Sequence, residues 1–130
     1  MIKLNFLFVC LAAALAGCSV QQKIFYIANL ENSCSYPIRV TAVDYSNAKK
    51  ALSLHQEVAS GETIEVLSYI SFSKELDSSI PDTYRLDIKA NEQTISLDKY
   101  RFISQLKRSP SFHTGKNITR WTIRNSSLCP

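Results

Sequence analysis

From residue 38 onward the chain is dominated by alternation of apolar and polar residues. In "PIRVTAVDY", Ile38, Val40 and Ala42 fall on one side of an extended backbone and Arg39, Thr41 and Val43 on the other, the period of two expected of a half-buried strand. "YSNAKK" supplies turn residues, and Leu52 and Leu54 resume the alternation, so the two segments predict a hairpin. A second turn, "ASGE", introduces the longest alternating run. There Ile64, Val66, Ser68, Ile70 and Phe72 are expected to share a face, with Leu67 and Tyr69 opposite. "DSSIPD" reads as loop, because Pro81 opposes a continuing strand. In "TYRLDIKA", Tyr84, Leu86 and Ile88 point one way and Arg85, Asp87 and Lys89 point to water. Asn91 and Glu92 then make a tight connection to a partner strand carrying Ile95 and Leu97.

The period changes in "LDKYRFISQLKRS". Tyr100, Phe102, Ile103 and Leu106 fit a helical stripe, Ser96 or Asp98 is placed to cap its start, and Lys107 and Arg108 suit a helix C-terminus. A strand through residues 100–103 is the competing reading. "SPSFHTGKN" reads as loop, and "ITRWTIRN" as a closing strand with Thr119, Trp121 and Ile123 inward. Trp121 reads as the largest side chain of the core rather than a ligand platform. Short strands, frequent turns and one helix predict a mainly β domain. The expected architecture is a small antiparallel β-sandwich of about seven strands with one short α-helix near residues 98–107.

The first residues follow a different rule. Lys3 precedes an apolar run over residues 4–17 interrupted only by Asn5, the layout of a secretory leader. As a helix that run reaches about 21 Å, short of the ~30 Å hydrocarbon core of a bilayer. At its end Leu15-Ala16-Gly17-Cys18 resembles the lipobox of bacterial lipoproteins at all four positions. The resemblance implies cleavage before Cys18 and lipidation of Cys18, with two or more acyl chains giving stable attachment. Ser19 rather than Asp after the lipidated cysteine implies, by the family's sorting rule, the outer membrane with the domain facing the periplasm. The expected organisation is a leader over residues 1–17, removed; a short lipidated tether over 18–22; and a single sandwich domain over 23–130. An ordinary secretory leader and a retained hydrophobic helix are the competing readings.

Removing 17 of 130 residues leaves 113, enough for one modest core. Lys3 is the only charge lost, so 14 Lys and Arg face 11 Asp and Glu, a net charge of +3. An excess that small argues against a dedicated nucleic-acid binder. Of four cysteines, Cys10 leaves with the leader and Cys18 carries lipid, so Cys34 and Cys129 remain to meet an oxidising compartment. A disulfide between them closes almost the whole domain. The alternative, a reactive or metal-binding thiol pair, lacks a Cys-x-x-Cys or a metal quartet. A disulfide needs Cα atoms within about 7 Å. The strands bearing Ile38 and Trp121 are therefore expected to be antiparallel neighbours or to face each other across the two sheets.

Motifs for catalysis are weak. Ser-x-x-Lys occurs at Ser71, Ser46, Ser96 and Ser104, and four occurrences in so short a chain show how little one means; the companion elements of penicillin-interacting enzymes are missing. Beyond the leader only Gly61 and Gly115 remain, too few for a nucleophile elbow or a phosphate loop. His55 and His113 read as surface histidines. Glu62, Glu65, Asp87 and Asp98 offer carboxylates with no spacing that selects a pair. Asn117-Ile118-Thr119 and Asn125-Ser126-Ser127 match glycosylation acceptors in form only. The sequence thus predicts no catalytic residue, no metal, no cofactor and no small-molecule substrate. One feature suits binding: Arg101, Lys107, Arg108, Lys116, Arg120 and Arg124 make the C-terminal third the basic part of the chain, suited to an acidic partner. The expected function is a non-enzymatic, membrane-anchored protein-interaction module, an accessory of an envelope or secretion assembly. In architecture only, such a domain is similar to the small sandwich lipoproteins of secretion systems. The alternative is a periplasmic inhibitor or immunity protein against a toxin or lysozyme.

Overall fold

The computed structural model describes residues 22–48, 53–115 and 117–130; the lipobox and Cys18 lie outside the described residues, as does Lys116. The elements in chain order are β1 (Ile24–Glu31), β2 (Ile38–Val43), β3 (Ser53–Val58), β4 (Thr63–Ser71), the single turn of helix α1 (Leu76–Ser79), β5 (Arg85–Ala90), β6 (Gln93–Asp98), α2 (Lys99–Arg108), β7 (Ser111–Thr114) and β8 (Ile118–Ile123), followed by a 3-10 turn (Ser126–Leu128). They form a β-sandwich. Sheet A has the order β4-β1-β8-β7 and sheet B the order β3-β2-β5-β6.

Sheet B follows its sequence pattern closely. Ile38, Val40, Ala42, Leu86, Ile88 and Leu97 are buried, while Arg39, Arg85 and Lys89 are exposed. The β5–β6 turn is the two-residue loop Asn91–Glu92, with φ of 53° and 62°, the left-handed pair that matches the twist of a tight hairpin.

Sheet A departs from expectation in three ways. β1 pairs with β8 in parallel, Phe25 opposite Ile118 through Leu30 opposite Ile123, so one ladder of the sandwich is not antiparallel. Residues 111–114, expected as loop, form the edge strand β7 against β8, which brings the strand count to eight. All four of its residues are exposed, so it carries no alternation to read. The long run of β4 changes phase partway. Ala28 pairs with Leu67 and Asn29 with Glu65, leaving Val66 as the extra residue of a β-bulge. Ile64, Val66, Leu67 and Tyr69 are buried as a result, and Phe72, expected on the same face as Ile64, is 57% exposed. The Val66 carbonyl accepts a hydrogen bond of 2.9 Å from the buried Tyr84 hydroxyl.

Helix α2 buries Phe102, Ile103 and Leu106 as its stripe predicts. Asp98 caps it by accepting from the Arg101 N–H at 2.8 Å. Tyr100, expected in that stripe, is 69% exposed; its place is taken by Lys99, whose stem is buried and whose Nζ reaches Asp82 at 2.9 Å. The segment over residues 77–82, read as loop, holds most of α1, and Ile80 after it is buried.

Cys34 and Cys129 form a disulfide with Cα atoms 5.6 Å apart. β2 and β8 accordingly lie in opposite sheets, the second of the two arrangements the pairing allows. The bond fixes one end of the sandwich, here the clasp end, where the link between β1 and β2 and the β3–β4 turn also lie. Asn32 organises it. Its side chain donates to the Tyr36 and Val58 carbonyls and accepts from the Cys34 N–H, and its backbone pairs with Glu62 and Gly61. The opposite end, where β1 and β8 start and β4 and β7 finish, is where the described chain enters at Ile24; after the tether expected over residues 18–22 it is labelled the tether end.

Candidate functional site

Strand geometry sends alternate side chains of β2, β3, β5 and β6 out of sheet B. Cross-strand register gathers those side chains into rows. His55, Thr41, Asp87 and Ser96 form one row, and Glu57, Arg39, Lys89 and Thr94 the next. These residues come from four strands distant in sequence, so no local motif announces them. All of these but Ser96 line an open groove of about 530 Å³ across the outer face of the sheet. A second hollow of about 220 Å³ continues it toward the Asn91–Glu92 turn and Pro37, sharing Arg39, Glu57 and Lys89 with the first. That turn belongs to the clasp end.

The groove is electrostatically mixed, with Arg39 and Lys89 facing Glu57 and Asp87. His55 Nδ1 and Thr41 Oγ1 share a hydrogen bond of 3.0 Å. One oxygen of Asp87 takes the Arg85 guanidinium at 3.1 Å, and the other, Oδ1, is enclosed with no hydrogen-bond partner from the protein. Groups presented this way recognise a surface carrying both N–H donors and carboxylates. A hydroxyl stands within hydrogen-bonding distance of a base at Thr41 and His55, while Ser96 neighbours Asp87 in register. Among the described residues no three His, Cys, Asp or Glu side chains gather as a metal set.

The basic residues of the C-terminal third divide between two elements. Arg101, Lys107 and Arg108 are exposed on α2, the last two at its C-terminus where they suit the helix dipole. Arg120 and Arg124 project from β8 on the outer side of sheet A. Arg124 is ion-paired with Glu31, and Arg120 lies in register between Ile27 and Phe112.

Trp121 is 9% exposed and stacks on Tyr26 with ring centroids 5.9 Å apart. It is mainly a core residue, as its place in the pattern predicts. Its remaining edge lines a cleft of about 360 Å³ at the tether end, together with Ile24, Tyr26 and Leu76. Burial pushes the Tyr26 hydroxyl above its ordinary pKa, an effect opposed by a hydrogen bond with Ser79.

Among the described residues no helix is long and apolar enough to cross a membrane. Compared with known proteins, the chain matches no family model, no curated protein and no solved structure.

Proposed function

We propose that this chain is a lipid-anchored, non-catalytic protein-interaction module, held by Cys18 at the periplasmic face of the outer membrane. On this reading it presents the outer face of sheet B to a protein partner in an envelope or secretion assembly. The observation that supports it is the charged groove across four strands, continuous with the hollow at the clasp end, which is the end remote from the tether. A body tethered at one end offers the other to partners. The mixed charge suits a polar protein surface. The predicted basic residues on α2 form a separate, smaller surface.

The test is photocrosslinking in cells from a single reactive side chain placed at Lys89 or at Arg108. A discrete adduct from position 89, abolished by Arg39→Glu, supports the groove; adducts from position 108 alone overturn it. If the captured protein is one enzyme bound with one-to-one stoichiometry and inhibited by the domain, the inhibitor or immunity reading replaces the assembly reading. Reversing Arg124 is a poor probe of the basic surface, because it sets a carboxylate against Glu31 and perturbs the fold locally.

A further inference from the structure

We propose that the tether end of sheet A rests directly on the lipid headgroup layer, with Phe25, Phe72 and Phe112 as its footing. The proposal uses the anchor on Cys18 and so rests on the reading above.

Outward positions of a sandwich strand are ordinarily polar, as on sheet B. On sheet A the register sets Phe25 between Ile70 and Ile118, and it sets Ile27 beside Arg120, which neighbours Phe112. Phe72 follows the last residue of β4, which pairs with Ile24. Phe25 is 36% exposed, Phe72 57% and Phe112 58%. Phe25 adjoins Ile70 and Ile118 in register, Phe72 follows β4 at the same end and Phe112 stands across Arg120, which makes one side of sheet A largely apolar, and apolar patches of this kind mark contact surfaces.

Its position selects the occupant. Gln22 lies four residues beyond Cys18, a link of at most about 14 Å when fully extended. Phe25 is only three residues further on, so a lipidated chain cannot carry this patch far from the bilayer. Lys23, just before β1, and Lys74, on the loop after β4, are both exposed at this end, which suits anionic headgroups. Glu75 and Asp77, also exposed, mark the α1 side as the limit of the contact. Aromatic rings beside lysines are the composition of interfacial membrane contact. Seated this way, the domain holds a fixed orientation and turns its clasp end outward.

The test uses the full, processed chain in vesicles of phosphatidylethanolamine and phosphatidylglycerol. A polarity-sensitive dye is attached to one added cysteine, Phe72→Cys or, as control, Glu92→Cys. The expected result is blue-shifted emission and a severalfold loss of quenching by aqueous iodide at position 72, with neither change at position 92. Phe25→Ser with Phe112→Ser should reverse the change at position 72 while the lipid keeps the protein on the vesicles. Equal quenching at the two positions on vesicle-bound protein overturns the seat and leaves the anchor standing. A blue shift at position 72 that needs no vesicles and grows with protein concentration also overturns it, in favour of a second copy of the chain. Mass spectrometry of Cys18 reads the anchor separately: an unmodified Cys18 in a chain whose Phe72 dye still shifts on anionic vesicles keeps the seat and removes the anchor.

Discussion

The two ends of this sandwich are held by different chemistry. At the clasp end a disulfide, a buried asparagine and several side-chain bonds to backbone join segments far apart in sequence. Tyr36 donates to the Pro130 carbonyl and Ser60 to the Cys34 carbonyl. At the tether end short-range contacts stand beside longer ones. Ser71 bonds Ser79 and Ser73 bonds Ser78, while the longer links are the Tyr26 hydroxyl to the Ser73 carbonyl at 2.8 Å, the two bonds between Asn47 and the Ile70 backbone, and the Phe25 N–H to the Asn117 carbonyl at 2.7 Å. Large apolar side chains at that end face outward. The comparison teaches that a covalent cross-link and a buried asparagine concentrate at one end, while exposed aromatic residues concentrate at the other.

The largest effect should come from breaking the clasp. Cys34→Ser with Cys129→Ser frees a loop spanning a sequence separation of 95 residues, and on the chain-entropy account this removes about 4 to 5 kcal/mol. That is a large share of the roughly 5 to 15 kcal/mol available to a domain. Urea unfolding of the oxidised protein and the double variant measures it. Loss of less than about 1 kcal/mol would mean that the two ends are not held by different chemistry.

Asn32→Ala should rank second. It leaves the buried Val58 carbonyl, the Tyr36 carbonyl and the Cys34 N–H without their partner, at a cost of about 2 to 3 kcal/mol. Hydrogen exchange locates that loss. Amides near residues 58–62 should lose protection, while those of β8 near Ile118 stay closer to their original rates. Uniform loss along the chain would show that the ends act as one cooperative unit.

Most of sheet B was legible in the sequence because β2, β5 and β6 have one face on the core and one in water, and alternation is the trace of that asymmetry. The α2 stripe and its Asp98 cap were legible for the same local reasons. β7 was not, since an edge strand exposed on all four residues has no buried face to signal. The phase change in β4 was hidden because both faces of the run carry apolar residues, Leu67 and Tyr69 on one and Ile64, Val66 and Ile70 on the other, and only the pairing with β1 shows that Val66 is the extra residue. The parallel β1–β8 ladder joins opposite ends of the described chain and has no local signature. The groove was illegible on similar grounds. Thr41, His55, Asp87 and Ser96 become neighbours only through register.

The smallest of the expected effects tests what couples the two ends through the middle. Tyr84 is fully buried, packs on Phe102 with ring centroids 4.5 Å apart, and donates its hydroxyl proton to the Val66 carbonyl at the bulge. Burial holds its pKa well above the ordinary 10.0, with a further push from the nearby Tyr69 hydroxyl, which is itself raised by burial and then by Asp44. The unfolded chain therefore releases these protons first as pH climbs. The stabilisation is complete below pH 10 and drains away as pH rises past it toward the higher native values. Tyr84→Phe removes one of the titrating groups and should flatten part of that alkaline loss. Near neutral pH the same change costs about 1 kcal/mol, because the Val66 carbonyl loses its donor while ring packing survives. Urea midpoints at about pH 7 and about pH 11 measure both terms. If the variant is destabilised at neutral pH yet loses as much stability in alkali as the parent, the titrating group is Tyr26 or Tyr69. The alkaline weakness then belongs to the residues lining the tether end and its neighbouring loop, not to the ring that locks the bulge.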